Sequence, residues 1–195
     1  MVTAVVGAGG KTTYIHEKAG EYRAAGYKVL VTTTTHMYIE KDTLITDNAD
    51  IITGELKSRS YCMAGNAGPS GKISALSYDT YKRACSTSDI VLVEADGSRQ
   101  KPLKYPAEWE PVIPDNANKI VVVMGLEAIG KKCRDVVHRY ELAEKILGIT
   151  GDTVIEQEHI DLLITKGYIE PLKRKHPDIA IEVHLNDHDS RTMSL

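Results

Sequence analysis

The sequence predicts an α/β protein, a three-layer sandwich with helices on both sides of a mostly parallel central sheet. Three observations point there. Short β-branched, apolar runs alternate with segments that carry apolar residues at helical spacing. The runs show little polar alternation, as suits strands buried on both faces of a parallel sheet. The first run passes straight into a glycine turn, Gly7-Ala8-Gly9-Gly10, that opens a helix. The 195 residues suffice for a single domain, 1–195, with a real core.

In chain order, Val2–Val6 is the first strand. A helix from about Lys11 to Ala25 follows, with Ile15, Ala19 and Tyr22 at helical spacing and Gly26 as its stop. Lys28–Thr34 is the second strand. The signal weakens over 40–75, where Ile51–Thr53 and Ser60–Ala64 read as short strands and 66–71 as a turn-rich loop. Tyr78–Ser86 predicts a helix, and Ile90–Glu94 an apolar strand ending in an acid. Residues 95–118 form a Pro- and charge-rich loop, too long for a passive connector. Lys119–Met124 is another buried strand. Helices are expected at Val136–Leu147, Glu158–Ile164 and Glu170–Lys175, and a last strand at Ile179–Leu185. In such sheets ligands sit at the carboxyl ends of the strands. The unusual residues all lie at those ends: Gly7–Thr12, Thr32–His36, Glu94–Arg99 and Gly125.

Composition narrows the function classes. Net charge is −3, and no basic arm or basic surface suggests a nucleic-acid or membrane partner. Cys62, Cys85 and Cys133 lie far apart, as expected of reduced thiols in a cytoplasmic protein rather than zinc ligands or a disulfide frame. No apolar run approaches a membrane span, and no signal peptide is expected. Phe is absent, and Trp109 is the only tryptophan.

The glycine turn has a physical purpose. Without Cβ atoms its residues take positive φ and let backbone N–H groups converge on an anion. Lys11 then supplies a mobile charge for a β- or γ-phosphate, Thr12 a hydroxyl for Mg²⁺, and the helix start its positive dipole end. Gly7, Ala8, Gly9, Gly10, Lys11, Thr12 and Thr13 are therefore the expected contacts to ATP or GTP, and the fold is expected to be P-loop NTPase-like. The longer form of the loop has a glycine where this chain has Val5; the spacing here is the compact G-x-x-G-K-T, which resembles Mur-type ligases.

Val91–Gly97 looks like a strand ending in metal-anchoring acids, Glu94 and Asp96, which share a face if the strand continues. Thr32–Thr35 run off the second strand into His36. One hydroxyl could reach the metal sphere or γ-phosphate, and His36 could orient a water or substrate; β propensity and a structural histidine are the plain alternatives. Ser98, Arg99, Lys104, Glu108 and Glu110 lie in the proline-rich loop, either a recognition lid or a solvated surface loop. Arg139 either reaches a phosphate or decorates a helix surface. Asn186 and Asp189 have the spacing of the N-K-x-D base-reading motif, but Asp187 replaces its lysine, so guanine specificity does not follow.

Taken together, Gly7–Thr13, Val31–Met37, Val93–Arg99, Pro102–Lys104, Glu110–Pro114 and Val137–Arg139 resemble, in combination and order, the YqeC family of accessory factors for selenium-dependent molybdenum hydroxylases. The resemblance covers most of the chain. It implies a P-loop nucleotide-binding protein acting in maturation of such a hydroxylase, with the hydroxylase or its cofactor-maturation enzymes as partners. The Glu94 strand end is also similar to the V-E-G metal-binding strand of dethiobiotin-synthetase-like P-loop enzymes, which favours Glu94 in the magnesium sphere. Relatives usually carry a short lead before the first strand and an intact N-K-x-D. This chain starts almost at the strand and stops at Leu195, with little room for a closing helix. The expected activity is Mg²⁺-dependent NTP hydrolysis or NTP-driven transfer, with Lys11, Asp96, Arg139 and His36 as catalytic candidates. A small-molecule kinase or ATP-dependent ligase, and a non-catalytic nucleotide-sensing protein, remain open. So do the choice of ATP or GTP and the oligomeric state, with a dimer among the options.

Overall fold

A computed structural model describes residues 1–187. The chain is α/β with a mostly parallel central sheet, and it divides into two compact units. The first comprises Met1–Val5, Thr12–Gly97 and Val112–Lys119; the second Val6–Lys11, Ser98–Pro111 and the chain from Ile120 on.

β1 (Val2–Gly7) leads through the glycine turn into α1 (Lys11–Ala24), and β2 (Val29–Thr33) follows. The next elements are β3 (His36–Tyr38), β4 (Thr43–Ile45), α2 (Ala49–Arg59), β5 (Tyr61–Ala67), β6 (Lys72–Ser74), α3 (Tyr78–Thr87) and β7 (Ile90–Glu94). In the first unit the strand order is β1-β7-β2-β5-β6-β3, with β4 also on β5. β1, β7, β2, β5 and β4 pair in parallel, and β6 and β3 antiparallel. The parallel strands explain the unbroken apolar runs: every residue of β2 and β7 is buried. Register places Glu94 opposite Val5 on one side and Thr33 on the other, so β2 and β7 end together at that acid while β1 runs two residues further.

One expected strand is a helix. Ile51–Thr53 falls inside α2. Asn48 caps it, its Oδ1 accepting from the amides of Asp50 (2.9 Å) and Ile51 (3.4 Å). Ala49, Ile52 and Leu56 then bury one helical face, and Ser60 ends the helix in the left-handed conformation (φ 56°). The local β-branched pair misled the sequence reading; the cap and the spacing to Leu56 outweigh it.

In the second unit β8 (Leu103–Lys104) pairs in parallel with β10 (Val137–His138), and β9 (Lys119–Gly125) runs between β11 (Ala180–Asn186) and the last residues of β1. α4 (Cys133–Val136), α5 (Tyr140–Leu147), α6 (Gln157–Leu163) and α7 (Glu170–Lys175) complete it, a π-helical stretch at Ile164–Ile169 joining the last two. The helix expected over Val136–Leu147 is therefore broken: Val137–His138 is strand, and Arg139 takes φ +60° before α5 starts. No helix among the described residues is long and apolar enough to cross a membrane.

Candidate functional site

Gly7, Gly9 and Gly10 take φ of +92°, +68° and +120°, so the turn between β1 and α1 uses the freedom only glycine has. It also needs the missing side chains. A Cβ on Gly7 would lie 2.1 Å from the Val123 carbonyl oxygen, and one on Gly9 2.4 Å from that of Pro102. The Ala8 amide donates to Val123 O (2.8 Å) and the Gly125 amide to Pro102 O (3.0 Å), which seats the turn against the end of β9. This accounts for Gly125, which the sequence placed among the strand-end residues.

Lys11 is the first residue of α1 and only 5% exposed; its Nζ donates to Gly7 O at 2.9 Å. The ammonium thus folds back over its own turn. Thr12 and Thr13 are exposed. Glycine-freed amides, a buried lysine and the amino end of a 14-residue helix form a concentrated set of donors for an anion. Asn186, at the end of β11, packs against this turn: a Cβ on Gly10 would meet its Nδ2 at 2.3 Å. Asp189 lies outside the described residues.

In the first unit Glu94 and Asp96 are both buried, 7% and 0% exposed. The threonine run beside Glu94 joins strand ends. Thr32 Oγ1 donates to Ala64 O (2.8 Å), Thr33 Oγ1 to Glu94 O (2.8 Å) and Thr34 Oγ1 to Val112 O (2.7 Å). The Thr35 amide donates to Thr33 Oγ1 at 2.9 Å. Three of the four hydroxyls that sequence reading offered to a metal or phosphate therefore bind main-chain carbonyls. His36 is exposed and begins β3, opposite Ser74. Among the described residues no three His, Cys, Asp or Glu side chains gather where they could hold a metal ion. A nucleotide-borne Mg²⁺ would keep waters and take phosphate oxygens, so it asks for fewer protein ligands than a resident metal does.

Arg139 is held by a carboxylate. Its guanidinium grips Glu110 in two places (Nη1 to Oε2 2.5 Å, Nη2 to Oε1 3.2 Å) and lies 5.8 Å from the Trp109 ring centroid. The same Glu110 pairs with Lys104, which is fully buried (Nζ to Oε2, 2.8 Å), and accepts from the Ala107 amide (3.2 Å). Burial pushes the Glu110 carboxyl up, but hydrogen bonds from Lys104 and Arg139 outweigh it and hold the group below the usual carboxylate range. Burial first, then Arg139, Lys104 and Arg99, push His138 down to about 4, so it is neutral at pH 7. The sequence showed both signs of charge in this loop but gave no sign of the pairing, because Lys104 and Arg139 meet Glu110 only after β8 pairs with β10. Arg99 and Gln100 both adopt positive φ, 50° and 62°. The three cysteines are free, and burial pushes Cys62 up to about 12 and Cys133 to about 11, too high for a thiolate at neutral pH.

Comparison with known proteins adds two findings. The profile of a family described as YqeC protein matches residues 3–141. A protein of Escherichia coli (strain K12), described as "Uncharacterized protein YqeC", is 34% identical over 171 residues, an alignment spanning 84% of this chain and 67% of that relative.

Proposed function

The chain belongs to the YqeC family, and from its glycine turn we propose that it is a Mg²⁺-dependent nucleotide-binding protein of P-loop NTPase type, hydrolysing a nucleoside triphosphate or driving a group transfer with it. What carries this is the turn itself: three positive-φ glycines between a buried strand and a helix whose first residue is a buried lysine. The amides of Gly9, Gly10 and Lys11 would hold the phosphates; that of Ala8, also expected there from the sequence, is engaged by the Val123 carbonyl. Lys11 exchanges the neutral Gly7 carbonyl for phosphate oxygens and neutralises charge that develops on the β–γ bridge. Thr12 and a carboxylate from Glu94 or Asp96 would hold the magnesium, which would supply electrostatic stabilisation of the phosphate oxygens. The 98–111 loop, anchored by Lys104 and Glu110, is the segment proposed to face the second substrate. The setting proposed from the family resemblance is maturation of a selenium-dependent molybdenum hydroxylase.

Calorimetry with Mg²⁺ and each common ribonucleoside triphosphate tests the binding, and phosphate release tests turnover. Lys11→Ala should lower the rate by roughly 10²–10³-fold, the loss typical of removing one donor to a developing charge. A Lys11→Ala protein that turns over as fast as wild type would refute the proposal. Tight binding without turnover, alone or with the hydroxylase, would leave a nucleotide sensor instead.

A further inference from the structure

We propose that Arg99 and Arg139, with Trp109, form a binding site for a small acid, a carboxylate or phosphate carried on a flat ring. Binding there stands on its own; the acid's role as second substrate rests on the nucleotide reading above. Among the described residues five that are not glycine have a positive φ, and three of them, Arg99, Gln100 and Arg139, lie in this part of the second unit. Such backbones cost free energy in long side chains and persist where the surrounding structure enforces them, most often at ligand sites. The turn that carries Arg99 is tied down. The Lys101 amide donates to Ser98 O (3.1 Å), and the Lys101 ammonium donates to the carbonyls of Arg134 and Asp135, on the segment that leads into β10. β8 then runs beside β10, with Lys104 opposite His138 and Arg139 next in the chain.

Both arginines have donors to offer. Glu110 accepts one N–H from each of Nη1 and Nη2 of Arg139, and it is itself shared with Lys104. Two of the five N–H groups of that guanidinium are so used and three are left, on a side chain that is 25% exposed. Arg99 is exposed, and its side chain makes no hydrogen bond or ion pair with another described residue. Its charge acts with those of Arg139 and Lys104 on the His138 imidazole, so the two arginines share one neighbourhood. Two guanidinium forks match the paired oxygens of a carboxylate or phosphate. Trp109 supplies the rest. It is 74% exposed, and the Arg139 guanidinium lies 5.8 Å from its ring centroid. An indole left open beside a guanidinium is a stacking surface for a planar group that carries negative charge. The same stretch of chain touches the glycine turn: the Pro102 carbonyl is what a Cβ on Gly9 would strike at 2.4 Å. That neighbourhood suits the second substrate of a transfer driven by a nucleoside triphosphate.

Trp109 is the only tryptophan, so its emission reports on this site. The test is titration of the full chain, followed by tryptophan fluorescence, with phenyl phosphate, benzoate and the neutral benzyl alcohol. At least one acid should change the emission saturably, with a dissociation constant of about 1 mM or tighter, and benzyl alcohol should bind roughly tenfold more weakly or not at all. The stronger of the two acids identifies phosphate or carboxylate as the group that is read. Arg99→Ala should weaken that acid roughly tenfold at an unchanged melting temperature, and Arg99→Lys should recover part of the loss. Lys11→Ala should bind the acid as wild type does. The assignment is overturned if neither acid alters the emission, if benzyl alcohol binds as well as the acids, or if Arg99→Ala binds as wild type or melts markedly lower. It is overturned too if Lys11→Ala abolishes binding, since the acid then sits on the glycine turn. Triphosphate binding by that turn is read separately by calorimetry and survives each of these failures. Acid binding without any triphosphate binding overturns the nucleotide reading and leaves this site standing.

Discussion

Replacing Glu110 with Gln should cost the fold about 3 kcal/mol, the lower end of the range for breaking a buried pair. The carboxylate is 12% exposed, and it joins Lys104, 0% exposed, to Arg139, 25% exposed. Removing its charge takes a counter-ion from a fully buried ammonium and halves the grip on a guanidinium. Glutamine keeps the shape and one oxygen acceptor, which is why the low end applies. At this chain length about 3 kcal/mol lowers the melting temperature by about 6–12 °C. The pH dependence gives a second reading. Glu110 is held below the usual carboxylate range, so its contribution is complete above the unfolded value near 4.3 and is lost as pH falls through the folded value. Urea denaturation of wild type and Glu110→Gln should therefore show the full gap at pH 7 and a narrowing one in acid. A gap under about 1 kcal/mol at pH 7, the worth of an exposed pair, would refute the view that this cluster holds the 98–111 segment in place.

Other outcomes follow from the same structure. Gly9→Ala forces φ +68° on an L residue and puts its Cβ 2.4 Å from a carbonyl oxygen. It should destabilise by about 2–4 kcal/mol. Gly20→Ala, in α1 with open space at its Cβ, should instead stabilise by about 0.5–1 kcal/mol; thermal melts of the two variants would expose any error in this contrast. His138 is depressed in the fold to about 4, whereas the unfolded chain binds its proton near 6.5. Its effect is nil above pH 6.5; stability then falls as pH drops towards about 4. His138→Gln should flatten that loss between pH 7 and 5 in chemical denaturation, and parallel curves for the two proteins would contradict the assignment.

The site was legible to different depths. The turn at Gly7–Lys11 could be read directly, because positive φ, close backbone approach and a helix start are all demands made within one short stretch of chain. The buried strands were legible for a related reason: a parallel strand covered on both faces has no polar side to interrupt its apolar run. The threonine run was read as a supply of ligands, and most of its hydroxyls cap strand ends. Nothing in four adjacent threonines says which carbonyls will lie beside them once β2, β5 and β7 are aligned.

By itself, the amino-acid order determined the α/β class, the glycine turn ahead of the first helix and the family, since all three rest on local pattern or on motifs in series. Tertiary structure alone decided that Ile51–Thr53 is helical, that Arg139 and Lys104 share Glu110, and that Asn186 meets Gly10. Those outcomes depend on groups far apart in the chain brought together in a desolvated setting. There, burial and pairing set which charges are held.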